Sequence, residues 1–273
     1  MTARSCIVLG GNGFVGSAIV KEAKARGYDV LPVGREEYEA AKGRTTDLLI
    51  NANGNSKKFL AREDPVLDFQ LSVESALRAL HDFQATRHVF ISSIDVYPDC
   101  SDPAHNAETA AIDLNALSPY GFHKFMAEQI VRYHAPDALI LRLGGALGPG
   151  LWKNPVFDLI TGQTLRVHPD SAYQYLNTAD VGRIVFDLVE ADRRADTINV
   201  AATGAIPLRD VAQMIPDCQL PENEVDLKKE RYEINNAKLA ALLPVPESRA
   251  VAWRFLNDVI NGKTFIGKPG AGT

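Results

Sequence analysis

The chain has 273 residues, 46% of them hydrophobic, and a formal net charge of -5. That length suits one large α/β domain with room for a smaller C-terminal lobe, since α/β folds run to ~250 residues as one unit. The acidic balance excludes nucleic acid and an acidic membrane surface as bulk partners, while leaving room for a local phosphate pocket. Cys6, Cys100 and Cys218 are odd in number and far apart, a usage expected of reduced thiols in a cytoplasmic protein rather than of a disulfide framework. No apolar run approaches the ~20 residues that span a bilayer. The N-terminus enters a strand-like run at once, without a signal-peptide pattern.

In chain order, Cys6 to Leu9 reads as a buried strand and Val15 to Arg26 as a helix stopped by Gly27. Tyr28 to Val33 is the second strand and Asp47 to Ala52 the third. A helical segment runs from about Pro65 to Thr86, and His88 to Ser93 makes the fourth strand. A loop with Pro98 and Pro103 precedes a helix from Pro119 to His134, and Ala138 to Leu143 is the fifth strand. Strands alternating with helices predict a doubly wound α/β fold, a parallel sheet with helices on both faces. The strands lack polar alternation, as expected when both faces are covered. Too few residues separate the second strand from the third for a crossover helix and another strand, so this edge of the sheet is expected to be truncated. Beyond Gly150, proline-rich loops, short strands and a last helix near Ser248 to Asn261 predict a cap over the sheet's carboxyl edge.

Between the first strand and the first helix stands Gly10-Gly11-Asn12-Gly13-Phe14-Val15-Gly16. In this GxxGxxG arrangement Gly10 permits the tight turn, Gly13 lets backbone approach a pyrophosphate, and Gly16 lets the helix pack closely on the sheet. Phe14 and Val15 open the helix, where free amides and the helix dipole favour an anion. A merely structural turn is the alternative, but strand and helix fall where a dinucleotide needs them. The second strand ends in Val33-Gly34-Arg35. An acidic residue there would bind the adenosine ribose hydroxyls and favour NAD(H). Arg35 can instead pair with a 2'-phosphate, which favours NADP(H) and leaves NAD(H) open. Glu36 and Glu37 weaken that signal, and a solvated surface arginine is the competing reading.

Tyr120-Gly121-Phe122-His123-Lys124 is YxxxK at the start of a helix, and the i,i+4 spacing puts phenol and ammonium on one face. A tyrosine near pKa 10 is a poor acid–base group at neutral pH, and a nearby lysine cation is expected to lower that value. Lys124 could also hold the ribose of a nicotinamide cofactor. Upstream, Ser93 closes a strand, and strand carboxyl ends face the ligand crevice in such sheets. Its hydroxyl could polarise a substrate oxygen while Tyr120 transfers the proton. His123 is expected at the surface, and the histidines and cysteines show no metal-ligand spacing, so no metal is expected.

The segments GGNGFVG, INANG, SSIDVY, SPYGFHK, LRLGGALGPG, YLNTADVGRIV and NNAKLAALLPVP together resemble the extended short-chain dehydrogenases/reductases, the NAD-dependent epimerase/dehydratase group. The resemblance covers nearly the whole chain and implies a Rossmann-type fold with a small substrate-binding lobe. By it Ser93, Tyr120 and Lys124 are the catalytic set, and Gly10, Gly13 and Gly16 the cofactor loop. Asn51, Ala52 and Gly54 match a cofactor-contacting segment, and Asp180 an aspartate that supports the substrate lobe. It implies residues 1–150 as mainly the dinucleotide domain and 151–262 as mainly the substrate lobe with segments returning to the first domain, while the composition of the C-terminal end marks 263–273 as an expected flexible tail.

The chain departs from the family pattern in four places. Ile94-Asp95 stands where sugar dehydratases carry an Asp-Glu pair, which makes dehydration the disfavoured reaction. Asp95 is either a substrate contact or a loop-capping carboxylate. Tyr173 replaces an arginine that grips a nucleotide diphosphate, with Arg166, Lys153 or His168 as substitutes. Gly145 replaces an asparagine and suggests a differently shaped substrate pocket, and Ser72 replaces an asparagine that supports the active-site backbone. The leading expectation is a hydride-transferring reductase acting on a keto-sugar, nucleotide-linked by resemblance. An epimerase with tightly bound NAD and a non-catalytic NADP-sensing protein are the alternatives. The helices from Pro65 and from Tyr120 could pair with those of a second copy, so a homodimer is expected.

Overall fold

The computed structural model describes residues 4–220 and 226–267. The apolar run from Cys6 lies in β1 (Ser5–Leu9), and the glycine-rich turn leads into α1 (Gly16–Ala25). Next come β2 (Asp29–Val33), the short α2 (Tyr38–Ala41) and β3 (Thr45–Asn51). After α3 (Leu60–Glu63), α4 (Pro65–Phe69) continues through a π-turn (Gln70–Glu74) into α5 (Ser75–Asp82). β4 (Gln84–Ser93), α6 (Pro119–His134) and β5 (Leu139–Leu143) follow. Then β6 (Gly145–Leu147), α7 (Pro155–Thr161), β7 (Ala172–Tyr173) and β8 (Tyr175–Asn177) precede α8 (Thr178–Glu190) and β9 (Asp196–Val200). The chain goes on through several short elements to a helix over Ser248–Ile260.

Two compact units share this order. The first comprises the described residues of Met1–Pro98, Glu108–Leu143 and Ala179–Val200, and the second those of Asp99–Ala107, Gly144–Thr178 and Ala201–Thr273. The first holds a six-stranded sheet of order β2-β1-β3-β4-β5-β9, parallel at every pairing. This is the doubly wound, Rossmann-type sheet that the alternation of elements predicts. Alternate side chains leave each strand on opposite faces, and apolar residues cover both. On one face Ile7, Leu9, Val33 and Leu49 pack with Ala79 and Phe83 of the α5 region, and Phe90 and Ile140 with Ala76, Ala127 and Val131; on the other face the alternate residues Val8, Ile50, Val89 and Leu141 are buried. The register sets Leu9 opposite both Val33 and Asn51, and Asn51 opposite Phe90. The carboxyl ends of β1, β2, β3 and β4 therefore emerge along one edge. The second unit contains a β6–β8 parallel pair and a small three-stranded sheet that includes β7.

The truncated edge is present. Only α2 occupies the stretch between β2 and β3, and β2 is the outermost strand. The helical reading from Pro65 to Thr86 is corrected in two ways. The helical run ends at Asp82, because Phe83 adopts extended backbone and is buried in the core. The polar residues Gln84 to Arg87 then pair with β3 as the start of β4, ahead of His88. Composition conceals this, since a strand stabilised by ladder hydrogen bonds need not be apolar at its end. The proposed flexible tail lies, from residue 268 onward, outside the described residues.

One buried ionic network ties α6 to the sheet. Glu128, fully buried, accepts from Ser92 at 2.7 Å and from Arg142 Nε and Nη2 at 3.0 and 2.8 Å. Arg142 also donates to the Tyr97 hydroxyl at 2.8 Å, which donates to Asn199 at 2.8 Å. Removing one member of a buried pair leaves the other charge uncompensated. Glu128→Ala should therefore lower unfolding stability by roughly 3–5 kcal/mol in a denaturant titration, and Glu128→Gln by less.

Candidate active site

The glycine-rich turn is built by close backbone approach. Gly10 has φ +73°, and a Cβ there would lie 2.8 Å from the Ala52 carbonyl; at Gly16 a Cβ would lie 2.1 Å from the Gly10 carbonyl. Neither position tolerates a side chain, so the turn hugs both the start of α1 and the segment after β3. Val15 stands at the N-cap of α1, which has no side-chain cap. Among the described residues the amides of Phe14 and Val15 have no hydrogen-bond acceptor. A cradle without side chains and with free amide donors at a helix N-terminus fits a pyrophosphate. Ala52 donates its amide to the Leu9 carbonyl at 3.0 Å, which holds the Asn51–Gly54 segment beside the turn. Asn51 is buried and its side chain accepts from the Asn53 amide at 3.0 Å. At the end of β2, Arg35 is exposed and forms no ion pair among the described residues, whereas Glu37 accepts from the Gly34 amide at 2.9 Å.

Ser93, Tyr120 and Lys124 all lie in this same unit, Ser93 at the end of β4 and the other two on the first turns of α6. Ser118 caps α6 by accepting from the Gly121 amide at 3.1 Å, and Pro119 occupies the first turn. The Ser93 hydroxyl donates to Asp95 at 2.8 Å, and Asp95 pairs with Lys58 at 2.6 Å. The Tyr120 hydroxyl donates to the Asn55 carbonyl at 3.2 Å. Lys124 Nζ donates to the Ile91 carbonyl at 3.4 Å and lies 5.4 Å over the Phe90 ring. A Cβ on Gly54 would sit 3.5 Å from that ammonium. The segment after β3 thus touches the glycine turn on one side and both Tyr120 and Lys124 on the other.

The electrostatics depart from the sequence expectation. Burial, reinforced by the Asp95 carboxylate, pushes the Tyr120 phenol well above its ordinary value; Lys58 and the Ser93 hydroxyl pull the other way but do not prevail. No hydrogen bond joins Lys124 to Tyr120 among the described residues. Lys124 itself falls to about 8, because its burial outweighs the carboxylates of Glu128, Asp68 and Asp95. Desolvation decides both directions, since it penalises whichever form is charged.

The sequence reading missed Asn55, Lys58 and Asp68, which no motif marks. His123 is corrected: its side chain is only 12% exposed and its Nδ1 meets the buried Asp68 at 2.6 Å. The Asp95 carboxylate accepts from Ser93 and Lys58, and the cap of the short turn after β4 is the Ser93 hydroxyl, which accepts from the Asp95 amide at 3.2 Å. Ser72 is buried within the π-turn, 3.5 Å from Asp68. Asp180 pairs with Arg183 at 3.7 Å in the first turn of α8.

The remaining substrate candidates lie in the second unit. Gly145 has a local cause: a Cβ would meet the Gln174 carbonyl at 2.6 Å, where β6 runs beside β8. Tyr173 donates to Glu230 at 2.9 Å and stacks on Tyr232 with centroids 5.6 Å apart. Arg166 is exposed, Lys153 lies 5.1 Å over the Trp152 ring, and His168 Nδ1 accepts from the Asp170 amide at 3.0 Å. No helix among the described residues is long and apolar enough to cross a membrane.

Comparison with known proteins agrees with this architecture. A curated relative, dTDP-4-dehydro-6-deoxy-D-allose reductase of Streptomyces bikiniensis, is 22% identical over 264 residues, spanning 78% of this chain and 80% of the relative. The solved dTDP-4-dehydrorhamnose reductase of Bacillus anthracis in complex with NADP superposes with a TM-score of 0.76 at 16% identity, covering 94% of this chain and 99% of that one. UDP-glucuronic acid 4-epimerase of Bacillus cereus, in complex with UDP-glucuronic acid and NAD, gives 0.76 at 14% identity over 93% and 99%. The model of the NAD dependent epimerase/dehydratase family matches residues 6–69 and 46–201, more than half of the chain. The chain belongs to the NAD-dependent epimerase/dehydratase family.

Proposed function

We propose that this chain is an NAD(P)-dependent oxidoreductase of the extended short-chain dehydrogenase/reductase type, acting as a reductase on a keto carbon of a nucleotide-sugar-like substrate. The observation that carries this is the adjacency of the side-chain-free turn at Gly10 to Gly16 and the Ser93, Tyr120 and Lys124 set, through the shared Asn51–Asn55 segment. A nicotinamide dinucleotide, when bound, supplies hydride exchange with the substrate carbon. The amides of Phe14 and Val15 with Gly13 would hold its pyrophosphate, and Asn51, Ala52, Gly54 and Lys124 would line its nicotinamide half. Tyr120 carries its proton in the buried site, and in this reading it passes that proton to the alkoxide that develops as hydride reaches the substrate carbon. Ser93 has one hydroxyl proton and must release Asp95 to polarise the substrate oxygen. Residues of the second unit, with Gly145, Arg166 and Tyr173 as candidates, form the substrate-binding lobe in this reading.

NADP(H) is the favoured cofactor. Arg35 is exposed and has no ion-pair partner among the described residues, while the competing Glu37 carboxylate is already held by Gly34. An epimerase with bound NAD is the second reading, and it is supported by epimerases among the structural neighbours. The odd number and wide separation of Cys6, Cys100 and Cys218 support a cytoplasmic setting. A homodimer is supported by the apolar side chains that α4 leaves at the surface, with Val66 66% and Phe69 38% exposed.

A panel of dTDP- and UDP-linked 4-keto sugars, followed at the NADPH absorbance band, tests the reaction. A reductase consumes NADPH with substrate, whereas an epimerase interconverts sugars with no net change. Tyr120→Phe should lower turnover by about 100-fold or more, the general-acid share, with NADPH affinity nearly unchanged; full retained activity would refute the assigned role. Arg35→Ser should weaken NADPH about tenfold, equivalent to ~1.4 kcal/mol, and leave NADH binding as it was. Wild-type preference for NADH would overturn the use of Arg35. Sedimentation at micromolar concentration should show a dimer that Val66→Glu with Phe69→Glu converts to a monomer.

A further inference from the structure

Asp68 closes α4 with its carboxylate wholly removed from solvent. A carboxylate only accepts hydrogen bonds, and a buried one without donors is costly. Its surroundings are accordingly donors. Asn55 Nδ2 donates to Oδ1 at 2.6 Å, His123 Nδ1 meets Oδ2 at 2.6 Å, and the Ser72 hydroxyl lies 3.5 Å from Oδ1. The acceptor-only partner requires the proton on His123 Nδ1, whatever the state of Nε2. It also fixes the Asn55 amide, whose Oδ1 is left to accept from the Lys57 amide at 2.7 Å while Nδ2 also donates to the Lys57 carbonyl at 2.8 Å. Phe69 and Phe122 flank the His123 ring, with centroids 5.7 and 6.0 Å away.

This clamp grips the loop that reaches both hydroxyls of the site. The Asn55 carbonyl accepts from Tyr120 at 3.2 Å. Three residues later Lys58 pairs with Asp95, the acceptor of Ser93. We propose that Asp68 and His123 are positioning residues that lock Asn55, and thereby set where the hydroxyls of Tyr120 and Ser93 point. This rests on the reading of Tyr120 as proton donor given above. His123 stands one residue before Lys124, so the helix that carries the acid–base pair also carries half of the clamp.

The test uses the full chain labelled with [13Cζ]tyrosine, with the Tyr120 resonance assigned by its loss in Tyr120→Phe. Asp68→Asn, His123→Leu and His123→Asn are compared, the last because its side-chain amide can replace the Nδ1 donor. Thermal midpoint, NADPH affinity, and kcat and KM with a 4-keto sugar nucleotide that turns over complete the set. The expected result is a displaced Tyr120 resonance in Asp68→Asn and His123→Leu, with kcat down about tenfold or more, KM within about twofold, and partial recovery in His123→Asn; a shared unit is non-additive, so the double variant should be no worse than the worse single one. A purely structural pair would instead lower the thermal midpoint while leaving the Tyr120 resonance and kcat of the folded protein unchanged, and that overturns the proposal. Should Asp68→Asn fail to fold, the two His123 variants decide by the same readouts. If Tyr120→Phe retains full turnover, the functional reading fails, while the Tyr120 resonance still reports on the clamp.

Discussion

The site depends on burying a polar stripe of one helix. Tyr120, Lys124 and Glu128 follow one another at i, i+4 and i+8 of α6 and all face inward. Three ionisable groups on a buried face can be kept there only if each meets a partner. Glu128 is matched by Arg142 and Ser92, Lys124 by the Ile91 carbonyl, and Tyr120 by the Asn55 carbonyl. Those partners come from β4, β5 and the segment after β3, so the stripe dictates how helix and sheet edge meet. The same desolvation pushes the phenol up and the ammonium down.

The parallel register supplies the other half of the arrangement. Because Leu9, Asn51 and Phe90 lie side by side, the loops after β1, β3 and β4 leave the sheet together. Gly10 and Gly16 then permit contacts that any side chain would block. The glycine turn and the Tyr120–Lys124 pair become neighbours without a dedicated structural element between them. The truncated edge does not disturb this, since it removes a strand outside β2 rather than one beside the site.

Ser93 and Asp95 show how a local contact alters a motif's meaning. The sequence places a hydroxyl at the strand end, free to face a substrate. In the folded chain its single proton is already shared with a carboxylate that Lys58 holds in place. The hydroxyl is oriented by that contact, and its use in chemistry requires exchanging one acceptor for another.

The sequence by itself determined the order of the first five sheet strands, the glycine turn and the shared face of Tyr120 and Lys124, but not α8 and β9, which complete the sheet. The features it determined depend on local rules, namely apolar periodicity, the steric freedom of glycine and the 3.6-residue helical turn. The helix read from Pro119 to His134 coincides with α6, whose N-terminus Ser118 caps. Where hydrogen bonding outweighed composition, as at Gln84 to Arg87, local reading misplaced a boundary. Tertiary structure alone decided that Asn55 meets Tyr120, that Asp68 is buried against His123, and that burial overrides any lysine effect on the phenol. Each of these sets groups from distant stretches of chain within one hydrogen bond of each other and removes them from water. Desolvation is a property of the whole surrounding volume, and no spacing along the chain encodes it.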